Sequence, residues 1–175
     1  MKDLMRIKSL LSVEIEAILN LQVKKEAHSS ALYLAMASWC DRNGFDGSAN
    51  HFFKQSDEER QHQLKLFKYI LDMGGNALSP DISNIKTEFN SFREVFEDAL
   101  EQEIAITQSF KNIINKCLKE QDHVTIEFLN WFLKEQREEE YVARRILELF
   151  EVIGDAGTAH WEIDKQVAKV HYTAD

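Results

Sequence analysis

Four stretches of the sequence repeat apolar residues at steps of three and four, and each repeat carries an acidic residue near its middle. The first of these seams consists of Ile15, Leu19, Gln22, Glu26, Ser29, Tyr33, Ala37 and Cys40. The second consists of Phe52, Gln55, Glu59, His62, Leu66, Tyr69 and Met73. The third consists of Phe96, Ala99, Glu103, Ile106, Phe110, Ile113 and Cys117. The fourth consists of Phe128, Phe132, Glu135, Glu139, Val142, Ile146, Leu149 and Ile153. Because such steps return to one face of an α-helix, the sequence predicts four long amphipathic helices.

The acidic residues on these seams have no cation beside them, since no lysine or arginine occupies a seam position. Burying an isolated carboxylate costs several kcal/mol, and buried carboxylates that lie close together also repel one another. Protonation or a counter-charge must therefore accompany the burial of these acids. We interpret the missing counter-charge as a metal ion. A buried acid network held by protons and hydrogen bonds is the alternative.

The bulk properties fit a helical protein with little affinity for polyanions. A chain of 175 residues is expected to form a single domain over 1–175, and one proline and six glycines leave long stretches free to be helical. The formal net charge of -9 disfavours nucleic acid and anionic membranes as partners, and it attracts cations.

The cysteines and the start of the chain indicate a reduced, cytoplasmic setting. Cys40 and Cys117 are far apart and form no CxxC pair, so neither a zinc ribbon nor a rubredoxin-type iron site is predicted, and both are expected to be buried. Residues 1–11 mix charges with apolar residues and lack the continuous apolar core of a signal peptide. No segment is long and apolar enough to span a bilayer.

The turn residues divide the chain into an all-α fold. Helices are predicted over about 12–40, about 48–73 with Ser48 as cap, about 92–119, from after 122 to 153, and, shorter, about 158–172. The stretch 76–91 contains the only proline and reads as a long connection. Short first and third turns with one long crossover give the four-helix bundle (about 12–153) of ferritin-like folds, followed by a fifth C-terminal helix.

The predicted topology brings the acids of all four seams to about the same height in the bundle. Glu59 and His62 lie three residues apart on one face, so both can reach one ion. Glu26, Glu103 and Glu139 each add a carboxylate from another helix. Oxygen donors with one imidazole suit a pair of ions such as Fe or Mn, with Zn able to compete.

Several stretches closely resemble the bacterial non-haem ferritins, in order and over nearly the whole chain. They are 26–33 (EAHSSALY), 39–40 (WC), 57–62 (DEERQH), 103–108 (EIAITQ) and 131–140 (WFLKEQREEE). The resemblance implies that Glu26, Glu59 and His62 bind a first iron. It also implies a second iron, which Glu59 bridges and to which Glu103 and Glu139 contribute, with Gln136 close by.

The resemblance assigns roles to further residues. A third iron is implied at Glu58, Glu135, Glu138 and Glu139. Tyr33 is expected near the di-iron centre, where it donates an electron or hydrogen-bonds a ligand. A core tyrosine that merely bonds a buried glutamate is equally compatible with the sequence. Haem is not expected, because Arg60 stands where haem-binding relatives have methionine, and Gln136 and Glu139 replace a second Glu-x-x-His pair.

By this resemblance the chain is expected to be an iron-storage ferritin with ferroxidase activity. It would oxidise Fe(II) with O2 or peroxide and keep the product as a ferric mineral inside a homo-oligomeric shell of twenty-four subunits. The runner-up is a di-iron or di-manganese oxidase acting on an organic substrate or peroxide. The third reading, a helical interaction module, is opposed by the unpaired seam acids.

Overall fold

The computed structural model describes residues 9–173, and five helices follow one another in this part of the chain. They are α1 (Val13–Arg42), α2 (Asp46–Asp72), α3 (Phe92–Glu120), α4 (His123–Ile153) and α5 (Thr158–Val167). The predicted all-α class, with four long helices and a short fifth one, is confirmed. The prediction about the first eight residues of the chain lies outside the described residues.

Side-chain caps explain why most of the predicted helix starts lie close to the observed ones. The hydroxyl of Ser12 accepts a hydrogen bond from the amide of Ile15 at the start of α1, and Ser91 does the same for α3. Asp122 accepts from the amide of Thr125 at the start of α4. Each cap satisfies a backbone donor that the first turn of a helix leaves without an internal partner.

The prediction that Ser48 caps α2 is wrong, because a residue from α5 takes that role. The helix begins at Asp46, and the side chain of Asp164 accepts from the amides of Gly47 (3.0 Å) and Ser48 (2.7 Å) and from the Ser48 hydroxyl (2.7 Å). A carboxylate at a helix N-terminus is favoured by the unpaired amides and by the helix dipole. The contact docks α5 on the bundle.

The fifth helix is also shorter than predicted. It ends at Val167 rather than near Tyr172. A tight turn follows, in which the amide of Lys169 donates to the carbonyl of Gln166 and the amide of Val170 donates to the carbonyl of Val167. Val170 packs against the bundle core from this turn.

The ends of the helices define an up–down–down–up bundle with one long crossover. Near one end of the bundle, the amide of Leu10 bonds the carbonyl of Met73, and Lys116 pairs with Glu14. Near the other end, Arg42 pairs with Glu88 at 3.0 Å and Arg93 with Glu151 at 2.5 Å. The hairpin α1–α2 is therefore antiparallel, as is α3–α4, and residues 73–91 travel the length of the bundle without helix. No helix within residues 9–173 is long and apolar enough to cross a membrane.

Two apolar clusters fill the bundle and leave a polar layer between them. One, which includes Phe52, Phe96 and Phe150, extends to α5. The other, which includes Leu19, Leu66 and Phe110, fills the end near the start of α1. Cys40 and Cys117 are buried in different clusters, as expected of small apolar side chains.

Most buried positions of α4 lie one residue later in the sequence than the positions predicted for the fourth seam. Its buried positions are Thr125, Leu129, Phe132, Gln136, Ala143, Ile146 and Phe150. Gln136 thus takes the central position that was predicted for Glu135, while Glu135 and Glu139 are only half-buried. A neutral amide costs less to bury than a carboxylate, so the helix turns the amide inward.

Candidate metal centre

Glu26 of α1 meets Glu59 and His62 of α2 in the polar layer. All three side chains are buried, and one potential ligand atom from each lies within 4.8 Å of the other two. The Nδ1 atom of His62 is 3.7 Å from Oε2 of Glu59 and 3.9 Å from Oε2 of Glu26. The structure thus brings together the three residues that were predicted for a first metal ion.

When both carboxyl groups are ionised, the atoms that face one another in this group have no hydrogen-bond partner in the described part of the chain. They are Oε2 of Glu26, Oε2 of Glu59 and Nδ1 of His62. Buried polar atoms without partners are rare, because each carries the cost of lost hydration. A cation bound between them would satisfy all three atoms at once, so these residues fit a divalent metal.

Glu103 completes the buried acid layer but is held by hydrogen bonds. Its Oε1 accepts from the hydroxyl of Tyr33, and its Oε2 accepts from the Nε2 atom of Gln136 at 2.8 Å. Both oxygens are therefore engaged, and Glu103 does not join the group around His62. The Oε1 atom of Gln136 is buried and has no donor within residues 9–173.

Glu139 is tied to the outer edge of the site by an amide. The Nε2 atom of Gln55 donates to Oε2 of Glu139 at 3.0 Å and to Oε2 of Glu58 at 2.6 Å. Burial raises the pKa of Glu139 to about 9, and the nearby charge of Glu103 adds to the effect. The acids Glu58, Glu135 and Glu138 contribute in the same direction.

The buried acids all favour their protonated form in the absence of a cation. Burial raises the pKa of Glu26, and the charge of Glu59 raises it further. Burial likewise raises the pKa of Glu59 and of Glu103. Binding a metal ion would supply the positive charge that these groups lack and would displace their protons.

A cleft between α2 and α4 connects this layer with the surface. Its walls are formed by Glu58, Gln61, His62, Lys65, Trp131, Glu135, Glu138 and Glu139. The four residues predicted for a third ion therefore line one cleft, and His62 lies in the same wall. The ring of His62 is held edge-on by Trp131 (5.5 Å) and Phe132 (5.8 Å), which fixes its orientation.

Sequence reasoning missed the amides that hydrogen-bond the candidate ligands, and it missed a lysine that lies near one of these amides. Gln22 and Gln55 were placed on the seams but were given no role. The available signal was an amide one turn before an acid on the same buried face. Lys25 lies off the seam, and only the packing of α1 against α3 brings it to Ser109, at 2.7 Å.

A one-crossover four-helix bundle with buried carboxylates and a histidine at its centre belongs to the ferritin-like class of metal-binding bundles. The ferritin family model, described as a ferritin-like domain, matches residues 16–153. The chain therefore belongs to the ferritin family.

Similar proteins agree with this assignment. The bacterial non-haem ferritin of Staphylococcus epidermidis is 42% identical over 99 residues, which are 57% of this chain and 60% of that protein. The corresponding protein of Staphylococcus aureus is 38% identical over the same length. The match thus spans about 60% of the curated relatives' length. The crystal structure of an open-pore ferritin from Archaeoglobus fulgidus has a TM-score of 0.87 and 32% identity, covering 90% of this chain and 97% of that one.

Proposed function

We propose that this protein is an iron-storage ferritin that oxidises Fe(II) inside the bundle and keeps the ferric product in a shell built from copies of the chain. The observation that carries the proposal is the group of orphaned atoms of Glu26, Glu59 and His62 in a buried layer. Storage in particular is supported by the membership of the ferritin family and by the likeness to bacterial non-haem ferritins.

Fe(II) is the substrate in this proposal, and the buried residues are its binding groups. Glu26, Glu59 and His62 would take the first ion. Glu59 would share a second ion with Glu103 and Glu139, while the free Oε1 atom of Gln136 offers one more oxygen. Carboxylate-rich donors favour Fe(III) over Fe(II), because harder ligands suit the more highly charged ion.

The electron balance of the reaction needs both ions. Each Fe(II) gives up one electron, and O2 takes two electrons and two protons to become hydrogen peroxide. When peroxide is the oxidant, the same two electrons and two further protons yield two molecules of water. The raised pKa of Glu26, Glu59 and Glu139 means that the metal-free site holds protons that binding of the ions releases.

The cleft between α2 and α4 gives iron a path to and from the layer. Its acids Glu58, Glu135 and Glu138 attract cations, and they would form the third iron site together with Glu139. Tyr33 would hold Oε1 of Glu103 through its hydrogen bond until a second ion takes that oxygen. An additional role of Tyr33 as an electron donor remains part of this proposal.

The shell is proposed from the family and from the apolar residues on the outer surface. Large apolar side chains are exposed on all five helices, and they include Leu21, Leu34, Phe53, Leu64, Leu71, Ile104, Tyr141 and Trp161. Such residues mark surfaces that other copies of the chain would cover in a closed assembly, for which we propose twenty-four subunits. The buried, unbridged cysteines are compatible with a reduced cytoplasmic setting.

The test is aerobic loading of the purified protein with Fe(II), with the mass of the assembly and its iron content measured together. The proposal predicts a large closed shell that accumulates far more iron than its sites can bind. A monomer or dimer in light scattering would reject the shell. Loading that stops at the number of sites would reject storage and favour the oxidase.

A further inference from the structure

We propose that Lys25, Ser109 and Gln22 form a hydrogen-bonded positioning chain, which presents a single oxygen of Glu26 to the first metal ion. The inference rests on the proposed metal site but not on iron storage or on shell formation.

The contacts run without a gap from a half-buried ammonium to the buried carboxylate. The Nζ atom of Lys25 donates to Oγ of Ser109 at 2.7 Å, and that hydroxyl donates to Oε1 of Gln22 at 2.5 Å. The Nε2 atom of Gln22 then donates to Oε1 of Glu26 at 2.6 Å. The chain crosses from α1 to α3 and returns to α1.

The lysine fixes the direction in which every bond of this chain points. An ammonium can only donate, so Lys25 occupies one lone pair of the Ser109 hydroxyl and favours donation of the hydroxyl proton to Gln22. The carbonyl oxygen of Gln22 accordingly faces Ser109, and its NH2 group faces Glu26. Without the hydroxyl, the amide of Gln22 could rotate and present its oxygen to the carboxylate.

This arrangement divides the two oxygens of Glu26 between different tasks. Oε1 is held by Gln22, while Oε2 lies 3.9 Å from Nδ1 of His62 and has no partner within the described residues. A carboxylate held in this way would offer one oxygen to the ion rather than two. It would therefore take up less of the space around the ion that an oxidant needs.

The placement of the cation also matters. Lys25 lies on the α1–α3 side of the bundle, whereas the acid-lined cleft opens between α2 and α4. The ammonium can therefore orient Glu26 through two intervening groups without standing in the path of an incoming cation.

The experiment is an anaerobic titration with Co(II) up to one equivalent per subunit, followed by visible absorption, which reports the coordination number of the bound ion. Ser109→Ala should lower the affinity about tenfold and change the spectrum, because partners that orient ligands commonly contribute 10- to 100-fold. Ser109→Thr keeps the hydroxyl and should behave like the unmodified protein. Lys25→Met removes the ammonium from a half-buried position and should act in the same direction as Ser109→Ala.

Ser29→Ala is the matched control. Ser29 is a buried serine on α1 that accepts from Gln102 at 2.8 Å, so its replacement is the same chemical change away from Gln22. The inference is wrong if Ser109→Ala and Lys25→Met both titrate like Ser29→Ala, in affinity and in spectrum. Failure of the unmodified protein to bind Co(II) would instead reject the metal site itself.

Discussion

Tyr33 and Glu103, which lie 70 positions apart in the chain, are joined by a buried hydrogen bond between α1 and α3. Together with the amide of Gln136, this bond occupies both oxygens of Glu103, whereas the facing atoms of Glu26, Glu59 and His62 have no hydrogen-bond partner in the part of the chain that the structure describes. The two halves of the candidate site are therefore unequal before any metal arrives. One half offers open ligand atoms, and the other would have to exchange hydrogen bonds for metal bonds if it binds an ion.

Replacing Tyr33 with Phe tests this inequality. The change removes the donor that competes with a metal ion for Oε1 of Glu103, so the second ion should bind roughly ten- to a hundredfold more tightly. A hydrogen bond to a charged group contributes about 1.5–3 kcal/mol. Anaerobic Fe(II) calorimetry measures the effect, with the first-ion affinity as the internal reference. Weaker second-ion binding in Tyr33→Phe would show that the phenol supports the site rather than competes with it.

Removing a ligand of the first site should abolish fast oxidation at little cost to the fold. His62→Ala or Glu26→Ala deletes a buried polar group whose facing atom has no hydrogen-bond partner within residues 9–173. We expect initial aerobic Fe(II) oxidation, followed by stopped-flow absorbance, to fall by roughly 100-fold or more, since even the outer partners of ligands contribute 10- to 100-fold. His123→Ala, an exposed histidine at the start of α4, is the control. Normal oxidation in Glu26→Ala would mean that the site lies elsewhere.

The stability of the metal-free protein should fall as the pH rises. The pKa of Glu139 is about 9 in the folded protein and 4.5 ordinarily, so between these values the unfolded chain has lost a proton that the folded protein keeps. Because the unfolded state binds fewer protons, the free energy of unfolding decreases across this window. The pKa values of Glu26, Glu59 and Glu103 are also raised, so these groups contribute to the same loss of stability with rising pH.

Thermal unfolding of metal-free protein at several pH values measures how steeply the stability falls with pH. Glu139→Gln should flatten it, because the amide does not titrate. Added Zn(II) should raise the melting temperature more at the upper end of the window than at the lower end, since metal and protons compete for the same acids. An unchanged slope in Glu139→Gln would rule out Glu139 as a contributor.

Asp164 should hold α5 on the bundle. Its carboxylate accepts from the amides of Gly47 and Ser48 and from the Ser48 hydroxyl, so Asp164→Ala would leave buried donors without a partner. The expected loss is about 1–3 kcal/mol in the free energy of unfolding. Asp155→Ala removes a carboxylate that bonds only the side chain of His160 near the surface, and it should change little. Equal stabilities of the two variants would contradict the docking role.

The helices and the candidate metal group of Glu26, Glu59 and His62 could be predicted because spacing along single helices indicates them. Glu59 and His62 share a face by spacing alone, and every predicted position of the third seam is buried. The phase of α4 could not be fixed in this way. From Phe132, a step of three reaches Glu135 and a step of four reaches Gln136, and both obey helical spacing. The lower cost of burying an amide favours Gln136. The burial of Leu129, Ala143 and Phe150 on the same face gives the helix the same phase.

The long-range hydrogen bonds are a different case. Asp164, which caps α2, lies 117 positions from Gly47 and 116 positions from Ser48 in the sequence. Lys25 and Ser109 are 84 positions apart. None of these pairs leaves a periodic trace in the sequence. These contacts depend on how the helices pack, so a pattern read along one helix does not contain them.

The last prediction separates a storage protein from an oxidase that retains its metals. The second ion would have to displace Tyr33 and Gln136 from Glu103 and Gln55 from Glu139, and the α3 and α4 side of the site has no imidazole. We therefore expect the second ion to bind more weakly than the first and to be exchangeable, so that product can move on through the acid-lined cleft. Aerobic loading should then accumulate hundreds of iron atoms per shell, beyond the roughly two or three per subunit that the ligand count allows. The measurements are an anaerobic Fe(II) titration by calorimetry and elemental analysis after loading. Two equally tight sites that keep their iron, with loading that ends at two per subunit, would favour the oxidase, since a site that does not release its product cannot supply a mineral.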